Sequence, residues 1–425
     1  MKFIIHGAAK EVGRSCIECI TGKNTRFLFD AGIKLSEEGT EFPARISDPK
    51  GIDAVFISHA HLDHTGYLPS LDHKGMKCPI FSTAATKSLT KLLLIDAFKI
   101  GQLKHEHLGY VREDITKTMG FMRRAKTDSK GSIKDVKFRY FNAGHIPGSA
   151  SIVAEADGKK VLYTGDINTQ DTRLLKRADT SYSKEDIDVM ITEATYGNRE
   201  HPDRKRTEKA FLDEIEETLE RGGSPLIPVF AVGRAQEIML ILNKYDFGVP
   251  VYLDGMARKA TRIILDSPRS SGNPSQLRSA YDNVKPVKGR IQRKSVEKKQ
   301  AIYLTTSGML TGGPVIDYLK HMADEPRHSV LLTGYQVRHT NGRNLLRNGR
   351  VFLDGAERRV RCNVRQFDFS AHSDKPRLKK LIKEVNPRKL VINHGDPDAV
   401  ESMREWAEAL DIETYAPEMG GKIVA

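Results

Sequence analysis

The stretch Ser58-His59-Ala60-His61-Leu62-Asp63-His64 decides how the rest of this chain is interpreted. An apolar run directly precedes it and predicts a buried strand, so the histidines fall where a strand ends and a loop begins. His59 and His61 point the same way while the chain stays extended, whereas Asp63 and His64 lie past the turn and face a second position. Imidazoles and carboxylates at two positions predict a two-metal site, with zinc favoured over manganese or iron. The alternative is a His-rich surface loop.

The length and the charge of the chain limit the class of protein. Its 425 residues, 39% of them hydrophobic, suffice for two domains with cores or for one large domain that carries an insertion. Strand-like and helix-like runs alternate, which predicts an α/β fold. The net charge of +13 attracts polyanions, of which nucleic acid is the commonest, although an anionic membrane surface or simple solubility also accounts for such a charge.

The sequence also bears on the compartment. No apolar run reaches the length of about 18 residues that a membrane span needs. The first residues show no signal-peptide core, so we expect a cytoplasmic protein without membrane association. Cys16 and Cys19 form a single CxxC without a second pair, and we expect these two, Cys78 and Cys362 to be packing residues in a reducing compartment.

Further candidate site residues stand at the ends of apolar strands. Asp30 is expected to accept hydrogen bonds that hold the histidine loop, unless it is an ordinary turn residue. His145 lies in a tight loop shaped by glycines and a proline and is the next candidate ligand. Asp166 follows a strand and offers a carboxylate that can bridge two metals, and Glu193 ends a third such strand. Each signal is weak alone, but their order after the histidine stretch makes them strong.

Beyond Glu193 the character of the chain changes. Strands and helices alternate without ligand-like clusters, which predicts an inserted domain. Its predicted elements are helices near 207–220, 234–244, 256–265 and 314–323 and strands near 225–230, 249–253, 301–305 and 329–333. Residues 286–294 are the densest basic segment, interpreted either as an RNA-facing loop or as a solvated one. Past residue 366 candidate ligands return with His372 and, after another strand, His394.

The insertion carries a second kind of signal. Residues 305–314 lead from a strand through glycines and hydroxyl groups to a helix start marked by a proline. Free backbone amides at such a start can bind phosphate, which makes four residues candidate RNA contacts: Ser307, Gly308, Thr311 and Gly312. Arg234, in a similar strand-to-helix turn, is a further candidate. The lysine of a P-loop is missing, which argues against a nucleoside triphosphatase.

Together these residues resemble the metallo-β-lactamase fold in its β-CASP nuclease branch, most closely the archaeal homologues of the cleavage and polyadenylation specificity factor endonuclease. The resemblance extends over essentially the whole chain. It implies a metallo-β-lactamase αββα sandwich formed by residues 1–195 and 366–425. An inserted β-CASP α/β cap domain would occupy 196–365, and RNA would bind in the cleft between them. Because the sequence starts directly at its first predicted strand, we expect it to lack the N-terminal KH domains of some archaeal relatives.

The resemblance also implies a role for each candidate residue. Seven residues match the family's metal ligands: His59, His61 and His145 for one zinc ion, Asp63, His64 and His394 for the other, and Asp166 as the bridge. Glu193 and His372 match the family's paired acidic residue and histidine. Because every ligand position is filled, the resemblance does not support a degenerate subunit.

These parts predict a mechanism. Two bound cations would lower the pKa of water toward neutrality, and Asp63 would orient the resulting hydroxide for in-line attack on phosphorus. Such attack leaves a 5′-phosphate and a 3′-OH. His372, steered by Glu193, is the predicted general acid for the departing 3′-oxygen. The alternative for His372 is a further metal ligand or a core histidine.

The predicted function is a zinc-dependent ribonuclease with two Zn²⁺ per subunit that acts on single-stranded RNA in RNA processing or decay. We expect endonucleolytic cuts, accompanied by 5′ to 3′ exonucleolytic trimming. One alternative is a small-molecule hydrolase of the same fold, which would need neither the large insertion nor the net charge of +13. The other is a catalytically silent RNA-binding subunit, which should have lost ligands. A homodimer and protein partners in RNA processing or decay are further expectations.

Overall fold

The computed structural model describes residues 1–36, 39–127, 129–337 and 339–425, which form two compact units. Unit 1 comprises Met1–Asp171, Lys176–Glu200 and Ala371–Ala425, and unit 2 comprises Thr172–Leu175 and His201–Ser370. The predicted domain limits, 195 and 365, therefore each lie five residues before a unit boundary. At the second boundary the chain stays with unit 2 because Phe367 donates its N–H to Leu332 O at 2.8 Å.

The first part of unit 1 contains mostly strands. They are β1 (Lys2–Ile5), β2 (Ile17–Ile20), β3 (Arg26–Phe29), β4 (Lys34–Ser36), β5 (Gly39–Glu41), β6 (Ala54–Phe56), β7 (Ile80–Ser82), β8 (Met122–Arg124), β9 (Lys130–Ile133), β10 (Val136–Asn142), β11 (Ala150–Ala156), β12 (Lys159–Tyr163) and β13 (Val189–Glu193). The helices of this part are α1 (Leu62–Thr65), α2 (Leu68–His73), α3 (Ala84–Leu103) and α4 (Arg112–Phe121).

Helices and strands alternate in unit 2. The helices are α5 (Arg204–Glu220), α6 (Arg234–Leu242), α7 (Ala257–Leu265), α8 (Pro274–Asn283), α9 (Arg290–Val296), α10 (Pro314–Met322) and α11 (Asn341–Asn348). The strands are β14 (Pro225–Pro228), β15 (Val251–Asp254), β16 (Lys285–Val287), β17 (Ile302–Thr305), β18 (Ser329–Leu332), β19 (Arg350–Leu353), β20 (Ala356–Arg359) and β21 (Asn363–Gln366). The chain then returns to unit 1 with α12 (Lys375–Val385), β22 (Lys389–Asn393), α13 (Pro397–Glu408), β23 (Glu413–Tyr415) and β24 (Lys422–Val424).

Two mixed sheets form the centre of unit 1. The first has the order β24-β1-β2-β3-β6-β7-β8 and the second the order β23-β22-β13-β12-β11-β10-β9. In the first sheet β3, β6, β7 and β8 are parallel, and in the second β12, β13, β22 and β23 are parallel. The loops after β3, β6, β12, β13 and β22 therefore leave at the carboxyl ends of parallel strands, where sites are commonly built.

The packing of unit 1 confirms the predicted αββα sandwich. Between the sheets, the Phe29 ring stacks on Tyr163 at 4.9 Å and Phe56 contacts Phe138 at 4.9 Å between ring centroids. The outer face of the first sheet packs against α2, α3 and α4, and the outer face of the second packs against α12 and α13. Period-two alternation of apolar residues in the strands, such as Phe27 and Phe29 facing inward around Leu28, produces the two buried faces.

Unit 2 is built on a parallel sheet with the order β16-β15-β17-β14-β18-β21. The connection from β14 to β15 runs toward one edge of the sheet, and the connection from β17 to β18 runs toward the other edge. The direction of the connections therefore reverses between the neighbours β14 and β17. In parallel sheets, ligands bind at such a reversal, at the carboxyl ends of the strands. The loops at this point hold Arg234 and residues 306–313.

The prediction of a loop at residues 286–294 is wrong. Residues Lys285–Val287 form β16, whose Pro286 is paired with Leu253, and Arg290–Val296 form α9. Arg293 donates to Asp254 Oδ2 and to Asp317 Oδ2, both at 2.7 Å. The high positive charge of the segment suggested a loop, but its apolar residues Val287 and Val296 belong to the core of unit 2. Helices α8 and α11 and the hairpin β19–β20 were not predicted either.

The cysteines are packing residues, as expected. All four are buried, and Cys16 and Cys19 belong to different apolar layers, on opposite faces of the first sheet. Burial raises the pKa of each of the four thiols. Among the described residues, no helix combines the length and the apolar character needed to cross a membrane.

Candidate metal centre

Asp30 anchors the histidine loop, as the sequence predicted. Its buried carboxylate accepts hydrogen bonds from Ser58 N and Ser58 Oγ, both at 2.7 Å, and lies 2.7 Å from His64 Nδ1. The loop also passes close to Gly32, where a Cβ atom would lie 1.6 Å from Asp63 O, so only glycine fits. The Asp30 carboxylate therefore fixes both ends of the histidine stretch, Ser58 and His64.

Sequence reasoning missed one member of this network, Tyr163. Its hydroxyl donates to Asp30 Oδ2 at 2.6 Å and lies 3.0 Å from Ser15 Oγ. Tyr163 ends β12 and reaches across the sandwich, so the two sheets are joined by a hydrogen bond beneath the histidines. The available signal was a tyrosine that follows two aliphatic residues in the buried end of a strand, where its hydroxyl needs a partner inside the core.

Four of the predicted ligands form a first cluster. His61 Nδ1 lies 3.1 Å from His59 Nε2 and 3.3 Å from His145 Nε2. Asp166 Oδ2 lies 3.6 Å from both His59 Nε2 and His145 Nε2. Ligand atoms set tetrahedrally at 2.0–2.1 Å from a zinc ion are about 3.3 Å apart, so the separations fit one zinc ion.

A second cluster adjoins the first through the same aspartate. The other oxygen of Asp166, Oδ1, lies 3.5 Å from His64 Nε2 and 3.2 Å from His394 Nδ1. Asp63 Oδ2 lies 3.4 Å from His394 Nε2 and 3.8 Å from His64 Nε2. The structure therefore brings all seven predicted ligands together, in two groups that share Asp166.

Unpaired polar atoms in the second cluster are also consistent with a bound cation. His64 Nε2, Asp166 Oδ1 and His394 Nε2 are buried and have no hydrogen-bond partner within the described part of the chain. Buried polar atoms without partners are rare because each costs about 1–3 kcal/mol. A cation would satisfy all three at once, so the donor set fits a second metal.

Hydrogen bonds fix which nitrogen each histidine offers. His145 donates from Nδ1 to Ala371 O at 2.9 Å, and Nδ1 of His64 donates to Asp30. Nδ1 of His59 lies 3.0 Å from Ser58 Oγ. All three rings therefore direct Nε2 into the clusters, which is the usual way in which outer partners orient metal ligands.

The electrostatics of the site differ between its two halves. Burial lowers the pKa of His59 and of His145 well below the ordinary value, so both imidazoles are neutral and offer lone pairs. Burial would also lower the pKa of His64, but the charge of Asp166 and of the other nearby carboxylates raises it well above that value. Burial opposes the ionisation of Asp166, yet the neighbouring histidines, His394 first, hold its pKa well below the usual range. Ionised carboxylates and neutral imidazoles are the forms that bind metal.

Glu193 and His372 form a pair beside the clusters. His372 Nδ1 lies 3.0 Å from both carboxylate oxygens of Glu193, and the Glu193 carboxylate accepts hydrogen bonds from Ile167 N at 2.7 Å and Thr195 N at 3.3 Å. Burial would lower the pKa of His372, but the charges of Glu193 and Asp166 and the hydrogen bond with Glu193 raise it to about 9. The His372 side chain is 19% exposed, whereas that of His59 is fully buried.

In unit 2, the predicted phosphate loop is largely bonded to itself. Ser307 Oγ donates to Gly312 O at 3.1 Å and accepts from Thr311 N at 3.2 Å. At the helix start, Pro314 has no N–H, and Val315 N donates to Thr306 O at 3.0 Å. The expectation of free amides at this start is therefore wrong for Val315, because the turn closes on the preceding strand. The loop exposes Thr311, while the nearby Arg234 donates to Phe369 O.

Three known families match successive parts of the chain. Residues 17–194 match the metallo-beta-lactamase superfamily, residues 235–345 the Beta-Casp domain, and residues 357–417 the Zn-dependent metallo-hydrolase RNA specificity domain. The first and third matches include all seven predicted ligands, and the second and third together cover most of unit 2.

Curated relatives match the chain over its full length. It is 44% identical over 428 residues to the probable RNase MJ4 of Methanocaldococcus jannaschii, with 100% of both chains covered. It is 34% identical over 422 residues to RNase aCSPSF2 of Saccharolobus solfataricus, with 99% of this chain and 84% of that protein covered. The crystal structure of a protein of unknown function from Enterococcus faecalis V583 is similar with a TM-score of 0.62, at 16% identity, and covers 100% of this chain and 99% of that one. That last similarity concerns the fold alone.

Proposed function

The chain belongs to the Beta-Casp branch of the metallo-beta-lactamase superfamily, and we propose that it is a zinc-dependent ribonuclease that leaves 5′-phosphate and 3′-OH ends. Cleavage of RNA is the activity that the names of two of its relatives carry, and the matched families are metallo-hydrolases. The observation that supports the finer proposal best is the sharing of Asp166 between two clusters, with Oδ2 directed to one and Oδ1 to the other. A carboxylate in this position suits two cations.

The proposed ligands are the seven predicted ones. His59, His61 and His145 would hold one zinc ion, and Asp63, His64 and His394 the other, with Asp166 between them. Zinc ions bound there supply a strong nucleophile from water at neutral pH and neutralise charge on the phosphate. The protein contributes the orientation of these ligands, since Asp30 and Ala371 fix the ring positions.

His372 is the proposed general acid for the departing 3′-oxygen. Its Nδ1 is held by Glu193, which directs the opposite nitrogen, Nε2, away from the carboxylate. The pKa near 9 keeps a proton available at neutral pH, and a positioned acid typically contributes 10² to 10⁴-fold in rate. The competing assignment for His372 is a metal ligand, because its ring also lies close to the carboxylates of Asp166 and Glu193.

The proposed cleavage mode is endonucleolytic, with 5′ to 3′ trimming as a second mode. Trimming depends on a contact between a terminal phosphate and the loop of Ser307, Gly308, Thr311 and Gly312, together with Arg234. The support for this contact is the position of the loop at the reversal between β14 and β17. The internal bonds of Ser307 reduce the number of donors that the loop offers to phosphate.

Two measurements test this function. Elemental analysis of the purified protein should find about two zinc ions per chain, as expected for two complete ligand sets. RNA labelled separately at each end should then be cut with zinc and left intact with chelator. Well under one equivalent of zinc, with activity intact in chelator, would overturn the metal mechanism.

The same RNA tests the cleavage mode. Mononucleotides released early from RNA with a labelled 5′-monophosphate, and released more slowly from RNA with a 5′-triphosphate, would support trimming. Internal fragments alone would leave a plain endonuclease.

A further inference from the structure

The hairpin β19–β20 of unit 2 presents an exposed aromatic ring on a fixed backbone. Phe352 is 57% exposed, and within the described residues no ring or cation contacts its side chain. Its backbone is held by one side chain: Phe352 N donates to Asn341 Oδ1 at 2.7 Å, and Asn341 Nδ2 donates to Phe352 O at 2.9 Å. A single exposed apolar residue is common on a protein surface, so the charges and contacts around Phe352 decide whether it marks a binding site.

The hairpin, residues 350–359, carries three arginines and two carboxylates, and one of the carboxylates, Glu357, is directly opposite Phe352. Arg350 and Arg359 are directly opposite each other in the antiparallel register, a like-charge pair that is destabilising unless an anion lies near it. Arg350 has a carboxylate partner in Glu357 at 2.6 Å, but no carboxylate of the described residues pairs with Arg359. The exposed Arg343 and Arg347 are four residues apart on α11, the helix that packs against β19, and have no ion pair within the same residues.

The hairpin is also joined to the loop proposed to contact phosphate. Asn341 Nδ2 donates to Leu310 O at 3.1 Å as well as to Phe352 O. Next to it, Gly342 N donates to Met309 O at 3.0 Å. One asparagine side chain thus connects the loop after β17 to the backbone of Phe352.

We propose that Phe352 is a stacking platform for a base of single-stranded RNA and that Arg359, with Arg343 and Arg347, binds the adjacent phosphates. This inference rests on the proposed ribonuclease function and names a substrate contact outside the metal centre. Flat aromatic rings beside cations are how proteins hold single strands without reading sequence. The competing occupant is a protein, but Arg359, Arg343 and Arg347, for which no ion pair occurs within the described residues, favour a polyanion.

The test compares the RNA affinity of the protein with that of five variants, of which two are controls. The probe is a short single-stranded RNA with cleavage-resistant phosphorothioate linkages, followed by fluorescence anisotropy. F352A should weaken binding about 5- to 100-fold, the loss that corresponds to one stacked base, and F352W should restore it. Y245A, which removes another aromatic ring of unit 2 that is 49% exposed, serves as the control and should leave affinity unchanged.

A matched ligand change separates stacking from a structural effect. An RNA with abasic positions should bind the wild-type protein as weakly as F352A binds the intact RNA, and F352A should not discriminate between the two. R359Q should lower the slope of log affinity against log salt by about 0.7, as for one lost contact to a single strand, whereas F352A should leave the slope unchanged. R278Q, at an exposed arginine on α8, is the charge control.

The outcomes distinguish this inference from the proposed function. If the wild-type protein neither binds nor cuts RNA, the ribonuclease proposal itself fails. If the wild-type protein cuts RNA while F352A binds and discriminates abasic RNA as the wild-type protein does, the stacking platform alone is refuted. If F352A leaves RNA affinity unchanged but alters the sedimentation of the protein, the hairpin is a protein interface and the inference is also refuted.

Discussion

The histidines of the metal centre differ in the hydrogen-bond partners of their Nδ1 atoms. His372 lies outside the seven proposed ligands, and its Nδ1 is 3.0 Å from the carboxylate of Glu193, which is also outside that set. We therefore expect H372A to keep a zinc content near that of the wild-type protein and to lower the cleavage rate at least about 10²-fold. H59A, which removes a ligand, should lose both zinc and activity. A loss of zinc from H372A in proportion to its loss of rate would instead make His372 a ligand.

Asp30 allows a second prediction at this scale, because it touches no metal itself. D30N replaces one acceptor oxygen by a donor that faces the Ser58 and Tyr163 hydroxyls and His64 Nδ1. We expect the free energy of unfolding of the metal-free protein to fall by about 2–3 kcal/mol. Zinc affinity should fall about 10- to 100-fold because His64 loses its orienting partner. Urea unfolding and a competitive zinc titration measure the two effects, and D48N, at a side chain that is 58% exposed, is the control.

Among the elements, α9 distinguishes a structural arginine from a solvated lysine in the same basic segment. Arg293 is 12% exposed and lies between Asp254 and Asp317, whereas Lys294 is exposed. We expect R293A to lower the free energy of unfolding by about 2–4 kcal/mol, since it leaves the buried Asp254 without its cation. K294A should change it by less than about 0.5 kcal/mol. Equal effects of the two variants would contradict the ion-pair assignment.

The whole molecule is a discontinuous unit 1 interrupted by unit 2. Within unit 1, Lys375 N donates to Arg199 O at 3.0 Å, so the two ends of the insertion are adjacent. Replacing residues 201–370 by a short glycine linker, with L174S to avoid an exposed apolar residue, should leave a chain that folds and binds zinc as the full protein does. RNA cleavage should be lost because the proposed phosphate contacts are in unit 2. Calorimetry and zinc analysis check this, and an aggregated, zinc-free product would contradict it.

The sequence by itself predicted the strand ends near the site, the histidine stretch with its following candidates and an inserted α/β domain, and the resemblance to the β-CASP nucleases completed the set of seven candidate ligands. It could do so because buried strands are short apolar runs and because their terminal residues, such as Asp166 and Glu193, stand out chemically. The role of Asp30 was accessible for the same reason. The four cysteines were also predicted correctly, since no spacing among them suited a metal.

Only the tertiary structure decided which distant groups meet. Tyr163 reaches Asp30 across two sheets, and Asp166 presents one oxygen to each cluster, because sandwich packing sets those positions rather than any local pattern. The basic segment at 286–294 was misread because a strand at the sheet edge and a short helix can be as rich in charge as a loop. Its fate depended on Asp254 and Asp317, which lie far from Arg293 in sequence but pair with it in the fold. The position of the exposed Phe352 ring likewise depends on hydrogen bonds to Asn341, which the fold and not a local pattern places beside it.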